Sequence, residues 1–411
     1  MTTFRPPYRL LGCFVMVLVI AVLFPTATRG DERDGRREVT VRCDKGRSIG
    51  EALAQHEGAL TIKVVGTCDE HVAVDRNDVR LIADGPGAGI NGPDPTINTV
   101  MVTGDRFVLD ALTVTGGRNA VVVAGGGRAM IRNCVARGGG NGIVGGIGIV
   151  LTQGANGTVD NCESSGNAAD GLMLEGAIGI ITNSRFVSNG RAGILVFQGS
   201  TARIGMTSSF TVAPNLIRSN GSAGIHVTLN SLGLIVGNEI SGNGTNPAGP
   251  FGRTGVTVFH SRADLPGGNL ITGNFGQGVL IAAGSSAAIG DPGFALPTRN
   301  VIRGNSISAP SQGISVTLNS TLGLRDATVD GNNGAGVALA ARSTINVVSS
   351  TITGNTVNGV QLSQGSAAIF QPIPPVSDLS GNTGTDLKCL DAESSYTGPI
   401  APGATIDCTG F

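Results

Sequence analysis

The sequence predicts an all-β solenoid, a parallel β-helix of about 11–12 coils with three short strands in each coil. Three observations predict it: a repeated motif, the strand-like segments within each repeat, and the composition. In the motif, asparagine is followed four positions later by Gly-[Ile/Val/Leu]-x-[Val/Leu/Ile], as at residues 188–196 and 219–227. Glycine supplies 65 of the 411 residues without a Gly-X-Y period, which excludes collagen. Charged residues are only 14%, which argues against disorder, and tryptophan is absent, so Val, Ile, Leu and Ala have to fill the core.

The repeat favours stacked coils over other repeat architectures. Each copy holds three segments with apolar residues at alternate positions, and no helical stretch lies between them. Helical repeats keep a constant length and a 3.6-residue period, and propeller blades need four strands, so neither fits. In a β-helix a turn can lengthen outward while the strands stay stacked about 4.8 Å apart. The asparagines that begin the motif are spaced unevenly, between 22 and 31 residues apart, at Asn167, Asn189, Asn220, Asn243, Asn274, Asn305, Asn332, Asn355 and Asn382.

The glycine and the asparagine of the motif have local structural explanations. A glycine before each strand permits a positive φ or a close approach of two backbones. The asparagine tolerates the left-handed conformation at a tight turn. Its side chain can also stack on the equivalent side chain of the next coil and hydrogen-bond along the axis. We therefore predict that these turn asparagines are structural rather than ligand-binding.

A second half-motif, Asn-x-[Ile/Leu]-x-x-Asn, precedes many repeats, at 215–220, 238–243, 269–274 and 300–305. Together with the Gly-Ile-x-Val units, it resembles the right-handed parallel β-helix repeat proteins of the pectin-lyase-like superfamily. The resemblance implies a right-handed coil but no particular activity. That superfamily includes pectate lyases, polygalacturonases, alginate epimerases, phage tailspikes and exported repeat proteins without a known reaction.

The N-terminal residues are typical of a secretory signal peptide, which we place at 1–30. A basic start with Arg5 and Arg9 precedes an apolar run at 10–24, and small residues precede Asp31. The run is too short for a comfortable membrane span. We therefore expect an exported protein (secreted, periplasmic or at the cell surface) with no membrane insertion after signal cleavage.

The remaining chain divides into three expected parts: an N-terminal cap at 31–80, the β-helix at 81–385 and a C-terminal cap at 386–411. Caps are expected because a stacked tube has an open apolar end and an unpaired edge strand. The N-terminal cap should be a small α/β unit. It should contain strands at 39–43 and 60–66 and a helix at 51–56, for which Ser48 and Glu51 form a capping box.

Six cysteines remain after Cys13 of the signal peptide is discounted, and they fall into three local pairs. Without a Cys-x-x-Cys spacing, disulfides in an oxidising compartment are favoured over a zinc site. Proximity predicts the pairs Cys43–Cys68, Cys134–Cys162 and Cys389–Cys408. For the middle pair, which should share a column on adjacent coils, the alternative is two unbridged, stacked thiols.

Charge and composition limit the classes of partner that the chain is expected to bind. The chain after residue 30 carries 25 basic and 29 acidic residues, a net charge of −4. Nucleic acid and anionic membrane surfaces are therefore not expected as partners. No cofactor and no metal are predicted, the oligomeric state is open, and the expected partner class is an extracellular or cell-envelope polysaccharide.

The resemblance implies where a site would lie, because enzymes of that superfamily usually work on the outer face of the strand after the asparagine turn. Glu175 and His226 project outward there, and His260 follows a neighbouring strand, so these three are the candidate acid–base residues. The alternative for His226 is an ordinary exposed histidine on a strand. The outward positions are Met173, Glu175, Leu195, Phe197, His226, Thr228, Thr257, Phe259, Leu280, Ala282, Ser315, Thr317, Gln361 and Ser363.

Other features argue against catalysis. A hydrolase needs clustered carboxylates, but Glu175 is the single one expected on this face, and Asp326 and Asp330 fall outside it. A lyase resembling pectate lyase needs an arginine base and an acidic Ca²⁺ site, and no such cluster stands out. The Asp-Pro-His-Asp motif of alginate epimerases is absent. Aromatic sugar platforms are scarce, since Tyr396 is the one tyrosine after residue 30.

Three functions stay open. The first, which we favour, is a non-catalytic exported β-helix that binds a glycan or another surface, or acts as a rigid scaffold. The second is a divergent polysaccharide lyase or hydrolase that uses the three candidate residues. The third is a subunit of a surface assembly, in which an apolar stripe contacts a partner or a covering loop at 243–253. That stripe is Met173, Leu195, Phe197, Phe259 and Leu280.

Overall fold

The structure is a computed structural model that describes residues 36–140, 145–249, 252–290 and 298–408. The predicted signal peptide at 1–30 lies outside the described residues. No helix in the described part of the chain is long and apolar enough to cross a membrane.

Short strands make up nearly all of the regular structure in the described residues, which also contain one 3₁₀ turn (Cys43–Lys45) and one helix, α1 (Ile49–Gln55). The first strands are β1 (Arg37–Arg42), β2 (Leu60–Val65), β3 (Thr67–Asp69), β4 (Val72–Val74), β5 (Val79–Ala83), β6 (Gly89–Gly92), β7 (Val100–Val102), β8 (Phe107–Asp110), β9 (Thr113–Gly116), β10 (Val121–Val123), β11 (Arg128–Arg132), β12 (Val135–Gly138), β13 (Ile149–Thr152) and β14 (Asn156–Asp160). They continue as β15 (Glu163–Ser165), β16 (Leu172–Glu175), β17 (Ile178–Thr182), β18 (Arg185–Val187), β19 (Ile194–Phe197), β20 (Thr201–Ile204), β21 (Leu216–Arg218), β22 (Ile225–Thr228), β23 (Leu232–Ile235), β24 (Glu239–Ser241), β25 (Val256–Phe259), β26 (Arg262–Leu265), β27 (Leu270–Thr272) and β28 (Val279–Ala282). The last are β29 (Ser286–Ile289), β30 (Val301–Arg303), β31 (Ile314–Val316), β32 (Thr321–Arg325), β33 (Thr328–Asp330), β34 (Val337–Leu339), β35 (Thr344–Val348), β36 (Thr351–Thr353), β37 (Val360–Leu362), β38 (Ala367–Phe370), β39 (Leu387–Cys389), β40 (Ser395–Thr397) and β41 (Ile406–Asp407).

Within the part of the chain that the structure describes, the strands form three long parallel sheets, which confirms the predicted β-helix. The chain visits the sheets in turn, and each strand pairs with its equivalent one coil away. Sheet I has 15 strands, in the order β1-β2-β5 and then every third strand to β38, followed by β40. Sheet II has 12 strands, from β3 to β36. Sheet III has 14 strands, from β4 through β37 to β39 and β41.

The core is one continuous apolar column inside the three sheets. Alternate side chains point inward because successive residues of a strand face opposite sides of a sheet. Ile225 and Val227 of β22 illustrate this, since both are 0% exposed. The column extends from Val41 to Cys389 and consists largely of Val, Ile, Leu and Ala, as the composition predicts.

The nine turn asparagines form an unbroken ladder between sheets II and III. The Nδ2 of each asparagine donates to the Oδ1 of the next, from Asn167 to Asn382. Within this ladder, Asn220 donates to Asn243 at 2.9 Å and also to the carbonyl oxygen of Phe186 at 3.0 Å. These bonds satisfy buried polar groups at each turn.

Two further ladders occupy the other corners of the coil. Asparagines 215, 238, 269 and 300 link in the same way between sheets I and II. Between sheets III and I, a column of serines accepts backbone N–H donors from the preceding coil, as when the N–H of Ser200 donates to the Oγ of Ser231 at 3.2 Å. All three corners of the coil are therefore held by small polar side chains.

The two ends continue the sheets. Strands β1 and β2 pair in parallel and extend sheet I, so the stretch predicted as an N-terminal cap also holds the first strands of the solenoid. At the other end, β39, β40 and β41 add to sheets III and I. Disulfides join Cys43 to Cys68 and Cys389 to Cys408, with Cα–Cα distances of 4.9 and 4.7 Å.

Helix α1 begins two residues before the predicted start and ends at Gln55. Ser48 is its N-cap and accepts from the backbone N–H of Glu51 at 3.2 Å. The earlier start follows from Glu70, whose carboxylate accepts from the backbone N–H groups of Ile49 at 2.7 Å and Gly50 at 3.0 Å. A side chain 20 residues away thus satisfies donors at the helix N-terminus that would otherwise have no partner.

The predicted Cys134–Cys162 disulfide is wrong for this structure, in which both cysteines are free and buried. The two occupy one column on adjacent coils, and each thiol donates a hydrogen bond to a backbone carbonyl oxygen inside the core instead of forming a covalent bond. The Cys134 Sγ donates to the carbonyl oxygen of Arg132 at 2.9 Å, and the Cys162 Sγ to that of Ile131 at 3.4 Å. The hydrogen bond with Cys134 and the burial of both thiols raise the pKa of Cys162.

Candidate functional site

The solvent exposure of the outer face of sheet III changes along the axis of the β-helix. On β10 and β13 the outward side chains Val122 and Val150 are buried, because Ile147 and Ala169, from the turns before β13 and β16, pack against them. Leu195 of β19 is only 3% exposed, whereas Phe259 of β25 is 37% exposed. The predicted apolar stripe is therefore not a continuous exposed surface.

The strand register does not bring Glu175 and His226 together. Glu175 lies opposite Phe197, and Leu195, two residues earlier on the same strand, lies opposite His226. The two side chains are thus two strand spacings apart, about 9.6 Å, and are also offset along the strand. The Glu175 carboxylate instead accepts from the Oγ1 of Thr152 on the preceding coil at 3.1 Å.

His260 lies at the far edge of the face, in the turn after β25. It has a φ of 47°, is exposed, and its ring lies 4.5 Å from that of Phe259. His226 pairs in register with Thr257, three residues before His260. The three predicted acid–base residues therefore occupy three separate places on and beside sheet III.

His226 is not the exposed strand histidine that was the alternative, since it is 6% exposed. Burial, with a contribution from the positive charge of Arg191, lowers the pKa of His226 to about 4. The imidazole is therefore neutral at neutral pH. The loop at 243–253 was predicted to cover this face. Its described part packs on the turn before β22, where the backbone N–H of Asn246 donates to the carbonyl oxygen of Gly221 at 2.9 Å.

Asp170 is the residue here that the sequence analysis missed. Its side chain is fully buried, with Oδ1 accepting from the backbone N–H of Ala192 at 2.9 Å and Oδ2 lying 3.5 Å from Nη2 of Arg191. Burial raises the pKa of Asp170 to about 6, and Arg191 partly offsets that rise. The signal lay in the motif itself: Asp170 stands immediately before the motif glycine, where the later copies carry alanine, threonine, glutamine or asparagine and no acidic residue.

The C-terminal part of this face is more accessible and carries mostly small side chains. Its outward side chains on and just after β31, β34 and β37 are half-buried, and we call this set the open half: Ser315, Thr317, Ala338, Gln361 and Ser363. The amide of Asn358 donates to the Oε1 of Gln361 at 2.8 Å and so fixes its orientation. A cavity of about 400 Å³ lies at the turns that follow these strands, and its lining is Asn319, Ala341, Arg342, Gln364 and Glu393.

Among residues 36–140, 145–249, 252–290 and 298–408, no group of three or more His, Cys, Asp or Glu side chains is placed to hold a metal ion.

These features define a parallel β-helix solenoid in which the outer face of sheet III is buried towards the N-terminus and more accessible towards the C-terminus. The chain belongs to the right-handed β-helix region family, whose model matches residues 97–238 and 289–372, more than half of the chain. None of the curated proteins is significantly similar to the chain.

Solved structures with similar coils include the A-module of mannuronan C-5 epimerase AlgE6 from Azotobacter vinelandii, with 16% identity, 86% of this chain and 93% of that chain covered, and a TM-score of 0.46. The periplasmic alginate epimerase AlgG is 12% identical, with coverage of 90% and 84% and a TM-score of 0.47. Pectate lyase Pel9A is 13% identical, with coverage of 70% and 76% and a TM-score of 0.41. Identities this low show a shared fold alone.

Proposed function

We propose that this chain is an exported, non-catalytic β-helix protein that binds a polysaccharide along the open half of sheet III. Export is supported by the signal-peptide pattern of residues 1–30 and by two disulfides. A binding role is favoured over a catalytic one because Glu175, His226 and His260 lie apart.

A row of uncharged side chains in the open half carries the proposal. Ser315, Ala338 and Gln361 lie directly opposite one another on successive strands, so the same outward position recurs about every 4.8 Å. A regularly repeating surface suits a regularly repeating ligand. The Ser315 hydroxyl and the Gln361 amide, two strand spacings apart with Ala338 between them, can hydrogen-bond a sugar chain, and the short side chains of Ser315 and Ala338 leave room for it to lie flat.

The test is a binding screen of the chain against neutral and acidic polysaccharides, by calorimetry. We expect saturable binding to one class, and we expect Ser315→Lys to weaken it by about tenfold, because a long charged side chain blocks the row. Thr328→Lys is the matched control, since Thr328 is an outward, half-buried residue on sheet II. Equal losses in the two variants, or no binding at all, would contradict the proposal.

A second candidate function, a polysaccharide lyase or hydrolase, is favoured by one observation: a buried carboxyl with a pKa of about 6 beside Arg191 at the edge of the same face. A group that titrates near neutral pH can serve as acid or base. Unsaturated products and new reducing ends would reveal turnover. If Asp170→Asn abolished turnover while Asp330→Asn on sheet II did not, the non-catalytic proposal would fail.

A further inference from the structure

We propose that a hairpin on sheet I forms one wall of a second ligand site, which is separate from the face of sheet III. This site takes one uncharged sugar ring of a glycan. The inference goes beyond the proposed function, because it concerns a different sheet and a different set of residues.

The hairpin arises from a long turn between β20 and β21, which covers residues 205–215. The equivalent turn one coil later, between β23 and β24, has only three residues. Met206 and Val212 form an antiparallel bridge, and the N–H of Thr207 donates to the carbonyl oxygen of Thr211 at 2.9 Å. Insertions in a repeat protein project from one face, and that face is often the binding face.

Arg203 anchors the hairpin to the sheet. Its guanidinium lies 4.8 Å from the centre of the Phe210 ring, and its Nη1 donates to the carbonyl oxygen of Thr207 at 2.9 Å. Both contacts involve a side chain that projects outward from β20, so the hairpin has a defined position over sheet I. It therefore forms a wall rather than a loose loop.

The floor and rim of the site come from the next three strands towards the N-terminus. Met130, Thr158 and Ile180 are opposite one another in register and form the floor. Thr207 and Ser208 of the hairpin close the space, which is a cavity of about 300 Å³. Met130 is 41% exposed, so the floor presents apolar surface that a bound molecule can cover.

Asp160 on the rim provides the polar recognition group. Its Oδ1 accepts from the Oγ1 of Thr182 and from the Nδ2 of Asn183, both at 2.8 Å. No donor in the described part of the chain reaches its Oδ2, which leaves an oriented carboxylate oxygen for a ligand hydroxyl. Two hydrogen bonds hold this carboxylate in place before any ligand arrives.

The charges on the rim favour an uncharged ligand. Arg132 lies opposite Asp160 in register, and its Nε and Nη2 already donate to the Oδ2 of Asp110 at 3.0 and 2.7 Å. A uronate would bring its charge towards Asp160, and an amino sugar would bring its charge towards Arg132. A neutral sugar ring instead offers hydroxyls to the rim and an apolar C–H face to the floor.

The experiment uses the full chain with neutral oligosaccharides of glucose, mannose and galactose, and with galacturonic acid and glucosamine oligomers as charged comparators. Saturation-transfer NMR would detect contact, and calorimetry would give affinity. We expect a neutral oligosaccharide to bind, and Thr158→Arg, which fills the floor, to weaken it by about tenfold or more. Asn346→Arg, at the same outward position far along sheet I, should leave affinity within about twofold.

A second variant tests the wall. Arg203→Met keeps an unbranched side chain but removes the contact with Phe210 and the hydrogen bond to Thr207, so affinity should fall while the unfolding temperature changes little. Neutral binding that survives Thr158→Arg, binding confined to the charged comparators, or no binding to any neutral oligosaccharide would each overturn the inference. Binding lost in Ser315→Lys but kept in Thr158→Arg would do so as well, while leaving the proposed site on sheet III intact.

Discussion

At the scale of single residues, Asp170 and His226 are both buried, but acidification acts on them in opposite directions. In an unfolded chain their pKa values are about 3.9 and 6.5. Folding raises the first to about 6 and lowers the second to about 4. Between these limits the folded state binds a proton at Asp170 more readily than the unfolded state does, and the reverse holds at His226. Acidification from pH 7 to 4 therefore favours folding through Asp170 and opposes it through His226.

Single substitutions should expose these two opposing effects. In Asp170→Asn only the histidine effect remains, so its free energy of unfolding should fall relative to wild type, by roughly 2–3 kcal/mol, as the pH is lowered from 7 to 4. In His226→Asn the difference from wild type should move by a similar amount in the other direction. Urea unfolding at a series of pH values measures both. Differences that do not vary with pH would show that neither pKa is displaced by folding.

The asparagine ladder makes a second prediction about a single residue. Asn220 is fully buried, and its Oδ1 accepts from both the N–H and the Nδ2 of Asn189. Asn220→Ala removes the acceptor of both buried bonds, so it should cost about 2–4 kcal/mol of unfolding free energy. Asn156→Ala is the control, because Asn156 projects outward from β14 and its side chain makes no hydrogen bond with the described residues. Similar losses at both positions would contradict a stabilising role for the asparagine ladder.

At the scale of elements, the N-terminus of helix α1 depends on a residue that is distant from it in the sequence. Ser48 and Glu51 are recognisable as a capping box because their spacing is local. Glu70 is not recognisable in this way, since the fold rather than the spacing brings its carboxylate to the helix N-terminus, where it accepts three hydrogen bonds. Carboxylates at this end are favoured both by the free N–H groups and by the helix dipole.

Removing that carboxylate should loosen the N-terminal end of the solenoid. We expect Glu70→Ala to cost about 1.5–3 kcal/mol, and Glu70→Gln to cost less, because the amide keeps an acceptor but loses the charge. Hydrogen exchange of the α1 amides reports the local effect, and urea unfolding reports the global one. Glu57→Ala, at an exposed position just after the helix, should change neither. An unchanged exchange rate for α1 in Glu70→Ala would rule out this role.

At the scale of the whole molecule, each coil contacts chiefly the coils next to it. The stability of such a protein is approximately a sum of terms for each repeat and for each interface between repeats. Coils in the middle have two interfaces and those at the ends have one. Opening of the structure should therefore begin at the ends.

Hydrogen exchange along the whole chain should reflect this arrangement. Amides of the central strands β19, β22 and β25 should exchange most slowly, and those of α1 and β41 should exchange fastest, because the end strands lack a second neighbour. Mass spectrometry of peptic fragments gives the profile. A uniform exchange rate from end to end would show instead that the solenoid opens as a single unit.

The sequence by itself determined the coil, the three strands in each repeat, the asparagine column and the two terminal disulfide pairs. These could be predicted because alternation, turn residues and cysteine proximity are local properties that the chain repeats many times. Only the tertiary structure decided what depends on stacking: the pairing of Asp170 with Arg191, the burial of His226, its separation from Glu175 and the unbridged state of Cys134 and Cys162. The physical reason is that turns of unequal length separate equivalent positions by 22 to 31 residues, so contacts between coils are fixed by register and by what covers each face.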